Sequence, residues 1–351
     1  MSILSAIVVL GILIFIHELG HFLAAKKTGV GVLKFSLGFG PKIFGFKKGE
    51  TEYLLSAIPL GGYVKMIGED SKDEELAPDK SFSQKSVKTR ALIISAGPAA
   101  NFLLAIIIFW VVFMVGVPTL TTLIGEIKEG FPAEEKGLRA GDRIVAFEGK
   151  PIRRWEDLAV KVHQRPGRPI HITIERDGDL FDLTITPKPT KQKNIFGEEQ
   201  EIGLLGIAPS EEFVVERADP ITALYLAFIK TVYLIRIILI SLLKLIQRVI
   251  PLSSIGGPIL VAQMAGEQAR VGFLSLLLFT AVLSVNLGVL NLLPIPILDG
   301  GHLMFAALEG LRGKPISLKK REIAQQVGLA FLIGLMIFAF YNDIFRLFHR
   351  Q

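Results

Sequence analysis

Residues 3–25 have the sequence ILSAIVVLGILIFIHELGHFLAA, an apolar run that contains the pentapeptide His17-Glu18-Leu19-Gly20-His21. A helix needs about 20 apolar residues to cross a bilayer, so the run predicts a membrane span. Histidines four residues apart lie on one face of a helix and can hold one zinc ion between them. The intervening glutamate is then the general base beside a metal-bound water. Ionisable side chains inside a span are costly to bury, which makes these three residues candidates for a catalytic metal site.

The composition indicates a membrane protein with a soluble part. The chain has 351 residues, of which 50% are hydrophobic, and its mean hydropathy is +0.49. These values are too apolar for a wholly soluble protein. The net charge of +6 fits basic cytoplasmic loops. The sequence lacks the basic patch with interleaved aromatic residues that is typical of nucleic-acid binding. Because the chain has no cysteine, its strong metal ligands are limited to His, Asp and Glu.

Hydropathy and charge predict a polytopic α-helical membrane protein with four transmembrane helices. The first span, residues 2–25, is followed by Lys26 and Lys27, which predicts a cytoplasmic flank and an N-terminus outside. His17 lies about 21 Å along the helix from Ile3, so the motif falls in the cytoplasmic half of the membrane. The other spans are residues 91–117, 271–298 and 323–341, and they divide between membrane cores at residues 1–117 and 271–351.

Residues 219–270 are predicted to contain an amphipathic interfacial helix and a linker, not a fifth span. Within residues 221–250, four basic side chains fall in about a third of the helix circumference: Lys230, Arg236, Lys244 and Arg248. That pattern is typical of a helix that lies in the membrane surface. A span here would also move the basic loop 312–321 to the outside, against the positive-inside rule. It would place Asp299 on the opposite side of the membrane from His17.

The segment between the first two spans predicts membrane-associated β-structure. Residues 32–67 alternate in polarity and are interrupted by glycines, as in FSLGFGP (35–41) and IPLGGYVKM (58–66). We expect a hairpin or short strands that lie against the bilayer or dip into it, with an edge that pairs with an unwound substrate strand. An ordinary surface hairpin is the alternative. Residues 69–90 carry mixed charge and predict a solvated loop.

Residues 119–209 predict one inserted α+β domain outside the membrane. The stretch FPAEEKGLRAGDRIVAFEGKPI (131–152) combines a short helix, a tight turn and a strand. It resembles the PDZ domains of bacterial proteases, a family that binds extended peptides by strand addition. Residues 123–126 stand where the carboxylate-binding loop of that family is expected but lack its GLGF pattern. A steric role, as a filter for substrate size, is therefore an equal interpretation.

The third metal ligand is predicted in the stretch NLLPIPILDGGH at residues 291–302. Catalytic zinc usually takes three protein ligands and leaves one position for water. Asp299 follows two prolines that break the third span, and an Asp at that depth implies a lined cavity. His302 is the rival ligand. In the favoured arrangement His302 contacts the ligands from behind or has a structural role.

Two asparagines are further candidates for the site. Asn291, one helical turn before Pro294, is placed to hold the substrate backbone or a developing oxyanion. Asn101, in the second span beside Gly97-Pro98, is placed to hydrogen-bond a neighbouring helix or to orient the site. For both residues the alternative is an amide that only packs between helices.

Together these motifs resemble the site-2 protease family of intramembrane zinc metalloproteases, within it the bacterial regulator of sigma-E protease group. The resemblance covers nearly the whole chain, through HELGHF (17–22), FSLGFGP, IPLGGYVKM and NLLPIPILDGG (291–301). It implies one zinc ion per chain, held by His17, His21 and Asp299, with Glu18 as the catalytic base. It also implies that Asn291 aids substrate binding and that Gly61-Gly62-Tyr63 clamps the substrate as an edge strand.

The resemblance also implies a role in regulated intramembrane proteolysis. The expected substrate is a single-span membrane protein, such as an anti-sigma factor, that an upstream site-1-type protease has already trimmed. The expected location is the bacterial inner membrane, with both termini and the PDZ-like domain extracytoplasmic. Some members of the group have two PDZ domains, whereas this chain has room for one.

Two other classes of function fit parts of the pattern. A transporter for zinc or another cation would also place His and Asp on facing helices, but it needs neither Glu18 nor a peptide-binding domain. A membrane-anchored PDZ adaptor with an inactive protease core is the other alternative. A divalent metal other than zinc also remains compatible with the ligand set.

Overall fold

The computed structural model describes residues 2–68 and 78–349. The chain divides into two compact units. The first comprises Met1–Val112, Pro220–Leu243 and Pro251–Gln351, and the second comprises Phe113–Asp219 and Lys244–Ile250. Of the predicted charged loop 69–90, residues 69–77 lie outside the described part of the chain.

The described residues form nine α-helices: α1 (Ser2–Lys27), α2 (Val87–Val115), α3 (Pro132–Glu135), α4 (Trp155–His163), α5 (Pro220–Ile246), α6 (Pro258–Val271), α7 (Phe273–Asn291), α8 (Asp299–Arg312) and α9 (Leu318–His349). Five of them, α1, α2, α5, α7 and α9, are long and apolar enough to cross a membrane by length and composition. The predicted number of four spans is therefore not confirmed. The additional candidate is α5, the helix that the charge pattern assigns to the membrane surface.

The third predicted span is shorter than expected and ends in a turn. α7 stops at Asn291, and the chain turns through residues 292–298 before Asp299 opens α8. The turn is tight enough to require two glycines. A Cβ at Gly300 would lie 2.2 Å from the Leu292 carbonyl oxygen, and one at Gly301 would lie 2.2 Å from that of Ile295.

The predicted linker contains a helix that the charge pattern does not indicate. α6 packs against α1, α7 and α9. Its first backbone N–H groups are capped from another helix, since Asp343 of α9 accepts hydrogen bonds from the N–H groups of Gly257 at 2.9 Å and Ile259 at 3.0 Å. A side-chain acceptor at this position satisfies donors that have no partner within the helix. α6 thereby joins the metal-motif helix to the last helix of the chain.

Residues 32–66 form the predicted β-structure as a small antiparallel sheet. The strands are β1 (Val32–Lys48) and β2 (Thr51–Met66). Leu37 pairs with Leu55 on one side and with Gly62 on the other, while Lys48 pairs with Thr51. The two strands therefore fold back, and the segment 62–64 pairs on one side only among the described residues. It is an edge strand, which agrees with the expectation of an edge in this region.

The second unit is an α+β unit with ten strands in the described ranges. They are β3 (Val117–Leu120), β4 (Ile124–Ile127), β5 (Arg143–Phe147), β6 (Lys150–Pro151), β7 (Ile170–Arg176), β8 (Asp179–Ile185), β9 (Lys188–Lys193), β10 (Glu199–Leu204), β11 (Ile207–Pro209) and β12 (Phe213–Glu216). The last strand, β12, lies beyond residue 209 and pairs with β3. Its largest sheet has the antiparallel order β6-β5-β7-β8. Alternate residues of β7, Ile170, Ile172 and Ile174, are buried under Leu158 of α4.

A buried ion pair holds the second unit at the β5–β7 contact. The Asp142 carboxylate accepts hydrogen bonds from Arg176 Nε at 2.6 Å, from Arg176 Nη2 at 2.7 Å and from the Arg139 N–H at 2.7 Å. Burial raises the pKa of Asp142, but the bonds from Arg176 and from the Arg139 backbone outweigh it, so the pKa lies below its usual range. A lowered folded-state pKa stabilises the fold above the unfolded pKa, and that contribution is lost as pH falls through the folded pKa.

We expect Asp142→Asn to destabilise the second unit by about 3 kcal/mol, because it leaves the Arg176 guanidinium without its carboxylate partner. The measurement is pulse proteolysis of the full-length protein in detergent across urea concentrations, following cleavage within residues 113–219. The difference from wild type shrinks as pH falls below about 4, the pKa of an unfolded aspartate, and it disappears once pH has passed the lower pKa of Asp142 in the folded protein. The exposed Asp179→Asn is the matched control and leaves the midpoint unchanged; equal midpoints for all three proteins would contradict the role of Asp142.

Candidate metal centre

Two helices bring three ligand atoms to one point in the first unit. His17 and His21 are one turn apart on α1, and Asp299 is the first residue of α8. Asp299 Oδ2 lies 3.1 Å from His17 Nε2 and 3.4 Å from His21 Nε2, and the two Nε2 atoms are 3.2 Å apart. Ligand atoms of all three residues lie within 4.8 Å of one another. Both imidazoles are buried.

The second nitrogen of His21 is held by the backbone of α2. His21 Nδ1 lies 2.9 Å from the carbonyl oxygen of Ile93, which can only accept a hydrogen bond. Nδ1 therefore carries the hydrogen, and the lone pair of Nε2 faces Asp299. Metal-binding histidines are typically oriented in this way by a partner behind the ring.

Asparagines stand behind His17. Asn101 Nδ2 lies 3.2 Å from His17 Nδ1, and Asn291 Nδ2 lies 3.5 Å from the same atom. Asn101 is fully buried, and its Oδ1 has no partner among the described residues. If the Asn101 amide is rotated by 180°, its Oδ1 accepts the Nδ1 hydrogen of His17. Both the Asn101 oxygen and the His17 nitrogen then have a hydrogen-bond partner. The Nε2 lone pair of His17 is then also directed at the shared point. The backbone oxygen of Asn101 accepts a 2.7 Å hydrogen bond from Ser284 Oγ, which joins α2 to α7.

The donor set fits a divalent cation. Asp299 Oδ2 is buried and accepts no hydrogen bond within the described residues. A bound cation would satisfy this oxygen and both Nε2 lone pairs together. Two imidazoles and one carboxylate form the ligand set of many catalytic zinc sites, in which a fourth position stays open for water.

The ligands and the predicted substrate residues line one cavity of about 1160 Å³. Its wall includes His17, Glu18, His21, Asn291, Asp299, His302, Gly61, Gly62 and Tyr63. The edge strand passes directly against the base candidate, since a Cβ at Gly62 would lie 3.0 Å from Glu18 Cγ. Asn101 is the one predicted site residue that does not line the cavity, and it is fully buried. His302 lines the cavity but is not among the three converging ligands.

Two glycines that the motifs do not single out as site residues make the room for this arrangement. A Cβ at Gly97 would lie 2.2 Å from His21 Nε2 and 2.9 Å from His17 Cε1. A Cβ at Gly20 would lie 2.3 Å from the Ala96 carbonyl oxygen. α1 and α2 thus approach closely on both sides of the metal motif. The Gly97-Pro98 pair is visible in the sequence as a helix interruption, but nothing local indicates that it faces the histidines.

A buried ion pair at the cavity wall was also not predicted. Arg90 Nη2 of α2 lies 2.5 Å from Glu309 Oε1 of α8, and both side chains are largely buried. Arg321 Nη2 of α9 lies 3.6 Å from Glu309 Oε2. Arg90 and Arg321 line the cavity. These side chains tie the helix that begins at Asp299 to α2 and α9.

The second unit has a separate groove of about 340 Å³. α4 contributes Trp155, Leu158 and Val162, and the facing chain contributes residues 204–208. Of the residues 123–126 assigned to a carboxylate-binding loop, only Glu126 lines the groove. The segment Leu204-Leu205-Gly206-Ile207 instead lines the groove together with α4.

The profile of peptidase family M50 matches residues 5–335. The chain belongs to peptidase family M50. It is 38% identical over 355 residues to a Rhizobium meliloti (strain 1021) protein whose provisional name is zinc metalloprotease R01501, covering 97% of this chain and 95% of that one. It is 34% identical to Protease RseP of Yersinia pestis, over 99% of both chains. It is 32% identical to Regulator of sigma-E protease RseP of Escherichia coli (strain K12), over 98% of both chains.

Membership of family M50 and these relatives make the protein a metalloprotease of the site-2 protease type, and zinc is the metal that they support. Together with the five apolar helices, they make it a multi-pass membrane protein. The alignment with the Yersinia pestis protein runs over 451 positions, whereas this M50 chain has 351 residues, so the relative contains additional residues. Among solved structures, the PDZ domain of the SdrC-like protein from Listeria innocua matches at 19% identity and a TM-score of 0.21, covering 26% of this chain and 96% of that domain.

We expect Gly97→Ala to lower the metal affinity of this M50 protein at least about tenfold, because the added methyl group displaces both imidazoles. The measurement is the zinc content per chain of purified protein after dialysis against a zinc buffer. Gly11→Ala is the matched control, since a Cβ at Gly11 meets no atom within 4 Å. Full zinc content in Gly97→Ala would contradict the packing of α2 against the histidines.

Asn101→Leu tests the hydrogen bond behind His17. The leucine fills a similar volume but leaves Nδ1 of His17 without an acceptor, and we expect a 10- to 100-fold loss of zinc affinity. Competition with a zinc-binding dye measures this value. Ser284→Ala removes only the bond to the Asn101 backbone and serves as the control. Unchanged affinity in Asn101→Leu would assign Asn101 to helix packing alone.

Proposed function

We propose that the protein is an intramembrane zinc metalloendopeptidase that cleaves the transmembrane segments of single-span membrane proteins. The observation that carries the proposal is the convergence of His17, His21 and Asp299 in a cavity that also contains Glu18 and an edge strand. The helices around the cavity are apolar enough to lie within a bilayer. One zinc ion per chain fits the three ligands, and the position of His302 outside the ligand cluster favours Asp299 as the third.

The chemistry divides between the metal and the side chains around it. When bound, zinc polarises the scissile carbonyl and lowers the pKa of a coordinated water. Glu18 accepts the water proton and later gives it to the leaving amine, as a general base and then a general acid. Asn291, which lines the same cavity, is placed to donate its amide hydrogens to the developing oxyanion.

The substrate must unwind before it can react, because a helix hides its peptide carbonyls in internal hydrogen bonds. Residues 62–64 form an edge of the sheet, since among the described residues their strand pairing is with β1 on one side only, and they line the cavity beside Glu18. An unwound substrate strand that pairs with this edge keeps its backbone groups satisfied. Gly61, Gly62 and Tyr63 form the part of the edge nearest the catalytic base. This supports their assignment to substrate binding.

The topology that we propose has four spans, with α5 in the membrane surface. The segments before and after the main part of α5, Phe113–Asp219 and Lys244–Ile250, belong to one compact unit. A 27-residue helix is about 40 Å long, and one that crossed a bilayer about 30 Å thick would separate these two segments. This supports the interfacial position of α5. Both termini and the second unit then lie outside the cytoplasm.

The second unit is proposed to be a PDZ-like domain that restricts access of substrates. Its groove is lined by apolar side chains of α4 and by the segment 204–208, a shape suited to an extended peptide. The alternative to peptide binding in this groove is a steric role, in which the domain excludes substrates with bulky outer domains. Two relatives are named as regulators of sigma-E protease. By analogy we propose an anti-sigma factor, first trimmed by an upstream site-1-type protease, as the substrate in a bacterial inner membrane.

Cleavage of a single-span model substrate by purified protein tests this function. We expect Glu18→Gln to retain zinc but to lose at least about 100-fold in cleavage rate, because the general base is removed. A zinc chelator abolishes wild-type cleavage. If wild type and Glu18→Gln cleave equally, Glu18 is not the base.

The zinc content of three purified variants tests which residues bind the metal. His17→Ala and Asp299→Ala lose bound zinc, whereas His302→Ala keeps it, because His302 stands outside the ligand cluster. Loss of zinc in His302→Ala with retention in Asp299→Ala would overturn the assignment. Zinc flux into proteoliposomes without any cleavage would favour the transporter.

A further inference from the structure

The tip of the β9–β10 hairpin is attached to the end of α5. Glu198, at the tip, forms an ion pair with Lys244 in the last turn of α5. The ring of Phe196 lies with its centre 5.2 Å from Lys244 Nζ. These residues all belong to the second unit. The tip is therefore held beside the end of a helix that is proposed to lie in the membrane surface.

The tip carries two apolar side chains, of which Ile195 is exposed and Phe196 is half-buried. Residues 194–198 have the sequence NIFGE, and Ile195 is 76% exposed. Ile246, at the end of α5, is 79% exposed in the same unit. A single exposed isoleucine needs no explanation. An isoleucine and a phenylalanine at the tip of a hairpin that contacts an apolar helix are typical of an element that enters a lipid interface.

Four backbone N–H groups of the tip donate hydrogen bonds within the tip. Asn194 Oδ1 accepts the N–H of Phe196 at 2.9 Å and that of Glu198 at 3.0 Å. The Asn194 N–H donates to the Glu198 carbonyl oxygen, and the Gly197 N–H donates to that of Asn194, both at 2.9 Å. The tip can thus leave bulk water without leaving these backbone donors unsatisfied, a condition for entry into lipid.

The charges of the hairpin offset one another. Lys193 pairs in register with Glu199, and Lys191 pairs with Glu201. Glu198 is bound by Lys244, which holds the pKa of its carboxyl below the usual range. Ile195, Phe196 and Gly197 are uncharged. The neighbouring β7–β8 hairpin differs, since its exposed Leu180 is surrounded in sequence by Asp177, Asp179 and Asp182.

We propose that the β9–β10 tip is a bilayer-docking element, in which Ile195 and Phe196 enter the interfacial layer of the membrane on which α5 lies. The partner is the lipid surface itself. Docking gives the second unit a third attachment to the membrane, besides the chain connections to α2 and α5. The proposal rests on the surface position of α5 proposed above.

Single-cysteine variants test the docking, because the chain has no cysteine of its own. Full-length Ile195→Cys, Leu180→Cys and Val232→Cys are labelled with the fluorophore NBD and placed in nanodiscs of phosphatidylcholine and phosphatidylglycerol. Leu180, 68% exposed, is the matched control for an exposed apolar side chain. Val232, near the middle of α5, reports the depth of that helix separately. Nitroxide-labelled lipids and aqueous iodide serve as the two quenchers.

We expect the label at 195 to emit at shorter wavelength than the label at 180, with at least about threefold stronger quenching by nitroxide lipids and correspondingly weaker quenching by iodide. Equal iodide quenching at 195 and 180 would overturn the docking. The label at 232 is expected at a shallow depth. If the label at 232 lies at the bilayer centre, the proposed surface position of α5 is wrong. If the label at 232 is shallow but the label at 195 is exposed to water, only the docking of the tip is rejected.

Unlabelled variants exclude an effect of the dye. Trypsin cuts after Lys191 and Lys193 beside the tip, and the docked lipid surface protects these bonds. Ile195→Asp in nanodiscs is expected to be cleaved there at least about threefold faster than wild type, because a charged tip leaves the interface. Leu180→Asp leaves the rate unchanged. Equal rates for wild type and Ile195→Asp would contradict the docking.

Discussion

The contact of the Asp299 carboxylate with two imidazoles is the interaction on which the rest of the membrane unit depends. A carboxylate that is buried without a partner costs several kcal/mol, so its position must be matched by groups that offset the charge. His17 and His21 come from α1, whereas Asp299 opens α8 after a proline-broken turn. The two elements are far apart in sequence and must meet with ångström accuracy.

The close meeting of α1 and the start of α8 requires glycines where other backbone or side-chain atoms approach them. Gly97 lets α2 lie against both imidazoles, and Gly300 and Gly301 let the chain return over the carbonyl oxygens of the preceding turn. Asn101 and Ile93 reach the far sides of the rings, which fixes the direction of each Nε2 lone pair. α2 is therefore as much a part of the candidate metal centre as the two elements that carry the candidate ligands, although it supplies none of them.

The small sheet of β1 and β2 has a different role in the proposed function, which is to bind an extended peptide inside a bilayer. A transmembrane helix leaves no free backbone groups, and an unwound one needs partners for all of them. In the proposed function, the edge segment 62–64 offers such partners beside Glu18. Its sheet is anchored at the other end by Val32, Phe35 and Met66 against α1 and α2. In the proposed function, the same strand therefore serves both substrate binding and substrate unwinding.

The sequence alone predicted the apolar helices other than α5 that are long enough to span a membrane, the placement of His17 and His21 on one face, the β-structure of residues 32–66 and Asp299 as the favoured partner of the two histidines. These features depend on local periods, on the 3.6-residue turn and on prolines and glycines that act within a few residues. Only the tertiary structure decided which amide stands behind His17, why Gly97 must be a glycine, that the linker forms α6, and which segment lines the groove beside α4. Those features depend on contacts between distant segments, and no local pattern encodes which surfaces will meet.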